Sequence, residues 1–170
     1  AFDTIFWSWL FRYVHVIVAI MWIGLLWYFN FVQIPNMAKI PDEQKPAISK
    51  VIAPAALFYF RWGAAFTVLS GLILAWFNGY VHSAMILGLD GSGGKNTAIG
   101  IGMWLGIIMA YNVWFVIWPN QKKALGIVEV SPEIKAASAK TAMLFSRTGH
   151  AAIIPSFYFF HHQLAFIKTS

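Results

Sequence analysis

The chain has 170 residues, 59% of them hydrophobic and 11% charged, with a mean hydropathy of +0.66. A soluble domain cannot hide that much apolar surface, so the composition points to an integral membrane protein whose nine tryptophans suit the headgroup level. The absence of cysteine excludes disulfides, thiolate metal sites and a c-type haem attachment, and the formal charge of +6 sits in short lysine loops, which argues against a nucleic-acid partner.

The first element is the run FWSWLFRYVHVIVAIMWIGLLWYFNFVQ, residues 6–33, long enough to cross a bilayer as a helix. His15 lies a third of the way along it. At helical spacing His15, Ala19, Trp22 and Leu26 form one stripe, which sets an ionisable ring among small and aromatic neighbours at membrane depth. The N-terminus carries Asp3 and no basic cluster, so this helix is expected to serve as its own insertion signal. The segment PNMAKIPDEQKPAISKVIAP, 35–54, has four prolines and mixed charges and is expected to be a loop.

A second helix is expected at 56–81, followed by a flexible connector SAMILGLDGSGGKNT whose GSGG follows no strand and reads as a linker. The third helix spans 98–118, stops at Pro119 and presents Gly100, Gly102 and Gly106 as a small-residue face. A polar segment then leads, through a short amphipathic helix from Pro132, into a fourth helix at 142–168 that Pro155 should kink. The reading is an all-α integral membrane protein: one transmembrane domain over 1–170, built as a four-helix bundle. Lys39, Lys45 and Lys50 follow the first helix, and Lys122, Lys123, Lys135 and Lys140 follow the third. By the positive-inside rule both groups are cytoplasmic, which puts both termini in the periplasm of a multi-pass protein of the bacterial inner membrane.

That topology sets His15 and the pair His161 and His162 near one depth, on the first and last helices. Two imidazoles facing each other across an apolar bundle are the ligand set of a six-coordinate haem b. His161 is preferred as the partner of His15 because it returns to the face of His150, while His162 turns toward headgroups or a neighbouring subunit. Arg12, one turn outward of His15 and buried near the helix start, offers a cation for a propionate, and Met103 is an alternative axial ligand. Met more often fills apolar gaps, and a lone membrane histidine is about as often bonded to a backbone carbonyl. A second polar group gathers toward the cytoplasmic half: Arg61, Arg147, His150, Asn30, Gln33 and Asn112. Two arginines with amides suit a planar anionic or quinone-like ligand, set against the blander reading that the arginines snorkel to headgroups. His82 reads as interfacial. Asp42, Glu43, Asp90, Glu129 and Glu133 lie in loops, which leaves no carboxylate pair within the bilayer.

Four segments carry a resemblance: WIGLLWYFNFVQIP at 22–35, FRWGAAFTVLSG at 60–71, YNVWFVIWPNQK at 111–122 and SRTGHAAIIPSFYFF at 146–160. Together they resemble the membrane domain of bacterial membrane-bound urate oxidases, the urate hydroxylase PuuD family. The first helix, with its histidine and Trp-x-Gly, is also similar to that of HemJ-type haem-binding membrane proteins. The urate oxidase likeness implies electron transfer toward the respiratory chain through a C-terminal cytochrome c, yet this chain has no CxxCH and matches about the first half of that family's membrane portion. The expectation is therefore a membrane-embedded haem b protein passing electrons to or from a separate c-type cytochrome or a quinone, as a homodimer or a subunit of a larger membrane complex. Two alternatives stand beside it: a cofactor-free accessory subunit of a respiratory complex, and a urate-oxidising membrane subunit working through Arg61, Arg147 and His150.

Overall fold

The computed structural model describes residues 3–148, whose regular structure is helical, with no strand among the described residues. Three helices are long and apolar enough to cross a membrane: α1, Thr4–Lys39; α2, Lys45–Phe77; and, after the short α3, Val81–Met85, the long α4, Gly94–Ala124. A further helix, α5, covers 132–148. The fourth span expected at 142–168 lies outside the described residues beyond position 148, and so do His150, Pro155, His161 and His162.

The long helices run well past the ends that their prolines suggest. Only residues 40–44 separate α1 from α2, so the expected 35–54 loop is mostly helix, and α4 passes Pro119 to end at Ala124. Proline lacks the N–H that would bond four residues back, and its ring crowds that carbonyl. Here the turn before the proline widens to π geometry, at Tyr28–Gln33 before Pro35, Ile48–Ile52 before Pro54 and Asn112–Ile117 before Pro119. The residue preceding each proline donates five residues back instead: Ile34 to Phe29, Ala53 to Ile48 and Trp118 to Val113. All three widened turns lie toward the end of the bundle that bears the lysine loops.

Helices α1 and α2 form an antiparallel pair. Ser8 meets Asn78, Phe11 stacks on Phe77, His15 meets Thr67, Trp22 meets Gly63 and Phe29 meets Phe60. Close approach depends on Gly63, where an added Cβ would lie 3.1 Å from Met21 and 3.4 Å from the Trp22 side chain. Helix α4 completes the core, with Trp22, Leu26 and Phe29 of α1, Leu57, Phe60 and Ala64 of α2, and Met109, Val113 and Ile117 of α4 all buried together. Helix α5 buries a stripe of small residues, Ser138, Ala142 and Ser146, one turn apart, and Ser146 accepts a hydrogen bond from the Asn30 amide of α1 at 2.8 Å.

The segment expected to be a flexible connector is instead docked on α4. A Cβ on Gly100 would fall 2.0 Å from the Ala84 carbonyl oxygen, so only glycine lets α3 lie there. The Trp104 indole donates to the Met85 carbonyl at 3.0 Å, and the Thr97 hydroxyl donates to the Leu87 carbonyl at 2.8 Å. Gly102 and Gly106, read from sequence as part of the same packing face, have no neighbour within 4 Å of an added Cβ among the described residues.

Candidate functional site

The stripe His15, Ala19, Trp22, Leu26 faces the interior, with Trp22 and Leu26 buried and His15 and Ala19 half-buried. His15 meets α2 rather than another histidine among the described residues. Its Nδ1 lies 2.9 Å from the Thr67 carbonyl oxygen and 3.2 Å from the Ser70 hydroxyl. A carbonyl can only accept, so Nδ1 carries the proton and donates. In the neutral ring that leaves the Nε2 lone pair free, the tautomer that metal-ligating histidines adopt when a carbonyl holds their other nitrogen.

The ring fits because α2 is notched at this level. An added Cβ on Gly71 would meet the imidazole Cε1 at 3.0 Å and Nδ1 at 3.3 Å. The polar side chains around the notch are tied to their own helix, Thr67 Oγ1 donating to the Gly63 carbonyl at 2.7 Å and Ser70 Oγ to the Phe66 carbonyl at 2.6 Å. The Thr67 carbonyl is thus the fixed feature against which the histidine is oriented. Sequence reasoning missed Thr67, Ser70 and Gly71. The signal was present as small residues at 63, 67, 70 and 71, one helical face of α2, and was overlooked beside the more conspicuous glycines of α4.

The other expected ligand-shell residues divide. Met103 is half-buried on α4. Arg12 is exposed, not buried as the sequence suggested, because it lies one turn beyond His15 toward the helix start, where the α1–α2 pair comes to its end. His82 lies exposed on α3. His161 and His162 lie outside the described residues, so the opposed-imidazole pairing rests on sequence.

The inner polar group is spread over different contacts. Arg61 donates through Nε to the Leu57 carbonyl at 3.3 Å and lays its guanidinium over the Trp118 ring, 3.5 Å from the centroid. The Trp114 indole donates to the Arg61 carbonyl at 3.1 Å, which ties α4 to α2 at this level. Arg147 is exposed on α5, and His150 lies outside the described residues. The Asn30 amide nitrogen bonds the Leu26 carbonyl at 2.9 Å as well as Ser146, while its Oδ1, Gln33 Oε1 and Trp22 Nε1 are buried without a partner among the described residues. A small cavity beside Trp22 is lined also by Asn112, Ser146 and the apolar core side chains Leu26, Phe60 and Met109. Trp22 is on the stripe that the sequence sets beside His15, whereas Ser146 carries no cue in the sequence beyond being a small polar residue next to Arg147.

With this geometry in view, comparison with known proteins adds no kinship: no family model, no curated protein and no solved structure matches the chain.

Proposed function

We propose that this is a four-span haem b protein of the bacterial inner membrane, with both termini in the periplasm, that transfers electrons to or from a c-type cytochrome or a quinone. The observation that carries the reading is His15: a membrane-depth imidazole, anchored through Nδ1 to a backbone carbonyl, with Nε2 available as a donor atom to iron. His15 and His161 are the ligands of choice, with Met103 as the substitute for the second. Haem, when bound, supplies one-electron redox chemistry at an iron whose potential follows from axial ligands and burial. The chain's own contribution is orientation. The Thr67 carbonyl fixes the tautomer, and the Gly71 notch fixes the ring plane. Arg12, exposed one turn outward, is the cation available to a propionate at the surface.

Purification of the full chain, followed by iron analysis and an optical spectrum, tests the reading. A Soret band, a reduced α-band and about one or two irons per chain are expected. His15→Ala should lose the pigment while the protein still assembles. A chain that purifies intact without iron or Soret absorption would remove the proposal. The second reading, a cofactor-free accessory subunit, is favoured by one observation: no described residue lies within 4 Å of an added Cβ at Gly102 or Gly106, a face of α4 suited to close helix packing. That reading expects a colourless protein that co-purifies with a larger complex. Catalysis of urate oxidation is checked separately by urate-dependent reduction of added cytochrome c.

A further inference from the structure

Arg61 lies on α2, a helix apolar enough to span the bilayer, at the level of Trp114 and Trp118 toward the lysine-bearing end of α4, where an arginine needs a counter-charge or a route to the surface. Among the described residues its surroundings supply no anion: the ion pair found there joins Lys45 to Asp42, and no carboxylate of those residues lies within 4 Å of the Arg61 guanidinium. What surrounds it is aromatic and cationic. The guanidinium face covers Trp118 at 3.5 Å and stands 5.4 Å from Trp114, and the Lys122 ammonium approaches the Trp118 ring at 5.5 Å. One indole therefore orients two cations, and the stacking occupies the flat face of the guanidinium while leaving its terminal N–H groups, which make no hydrogen bond among the described residues, at the edge. Nε is already committed to the Leu57 carbonyl, one turn nearer the lysine-bearing end.

The remaining donors form a fork that suits two non-bridging oxygens of one phosphate, with Lys122 as a second point charge. The flanks are hydrocarbon. Phe58 and Trp62 on α2 and Phe115 on α4 are 50%, 40% and 66% exposed and border the cluster along the helix surfaces. A ligand that satisfies both parts carries an anionic phosphodiester and acyl chains. We propose that Arg61, Trp118 and Lys122 form a binding site for the headgroup of an anionic phospholipid at the lysine-rich end of the bundle. The site is separate from the His15 notch, and its test does not depend on haem.

The test is native mass spectrometry of the delipidated full chain in mild detergent, titrated with phosphatidylglycerol, with phosphatidylcholine, and with phosphatidylglycerol in the presence of millimolar inorganic phosphate. The expected result is one retained phosphatidylglycerol at roughly tenfold higher affinity than phosphatidylcholine, with little competition by phosphate. Arg61→Gln should remove that preference, Arg61→Lys should keep part of it because the charge stays and the fork is lost, and Lys122→Gln should lower it a few-fold. Lys95→Gln, on the opposite end, should leave it unchanged. Monodisperse elution and an unchanged melting temperature of Lys122→Gln guard against misfolding of the Arg61 variants. Wild-type retention by Arg61→Gln, an equal loss in Lys95→Gln, or displacement of the lipid by inorganic phosphate would each overturn the site.

Discussion

A single missing carbon sets the orientation of His15. Because an added Cβ at position 71 would sit 3.0 Å from Cε1, Gly71→Ala forces the imidazole to move by a few tenths of an ångström or to surrender its bond to the Thr67 carbonyl. A cost of about 1–2 kcal/mol is expected from this overcrowding, read as a lowered midpoint of thermal unfolding in detergent. If haem is bound, the same variant should shift the reduced α-band while His15→Ala removes it. Asp90 gives a residue-level prediction outside the membrane. Hydrogen bonds from the Ser83 hydroxyl, then from the Ser92 hydroxyl and backbone N–H, hold its carboxyl at about 2. Since its folded value is depressed, the support it gives the 86–93 turn is complete above the ordinary carboxylate range of about 4 and fades as pH falls through about 2. Hydrogen exchange at the Ser92 amide should therefore stay slow at pH 5 relative to pH 2 after correction for intrinsic rates, and Asp90→Asn should abolish the difference. The histidine at membrane depth was legible from residue type alone; its partner was not, because a backbone carbonyl leaves no trace in side-chain identity. The exposure of Arg12 is not legible for a related reason, since burial near a helix start depends on how far the partner helix extends beside it.

At the level of elements, periodicity and length located the three long helices, and the prolines misled about where they end. The rule that proline closes a helix holds when nothing absorbs the lost bond. Here a widened turn absorbs it three times, and Ile34, Ala53 and Trp118 carry the alternative bonds. Pro119→Ala restores an N–H that can bond Phe115, which favours collapse of the Asn112–Ile117 turn to α geometry. The expected result is a rotation of Trp118 and Lys122 relative to Trp104, seen as a change of several ångströms between spin labels at 104 and 122. Unchanged label distances would mean that core packing, rather than the missing donor, maintains the wide turn. The glycines of the connector between α2 and α4 suggest freedom, yet the segment is docked on α4. Gly100 instead makes room for the Ala84 carbonyl. Gly100→Ala should undock α3, raising hydrogen exchange at residues 84–88 while α1 and α2 keep their protection.

For the whole molecule, α1 with 36 residues is roughly 54 Å long, well beyond a hydrocarbon layer of about 30 Å, so α1 reaches past the lipid core or tilts. The absence of cysteine makes the orientation directly testable by single-cysteine labelling. If the proposed topology holds, a cysteine replacing Gly91 should react with an impermeant maleimide added to the periplasmic side, and one replacing Lys123 should react only after the membrane is opened. The widened turns bear on more than where helices end. Phe29, Val113 and Ile117 of the shared core sit inside two of them, so the packed register of the bundle is written around one surplus residue in each helix. Deleting a residue from either turn would repair the bonding ladder and at the same time swing every side chain beyond it by about 100°. Those helices are thus phase-locked: their irregularity is a counting offset that the core has already adopted, and shortening the chain to tidy the backbone would scramble the face on which the three long helices meet.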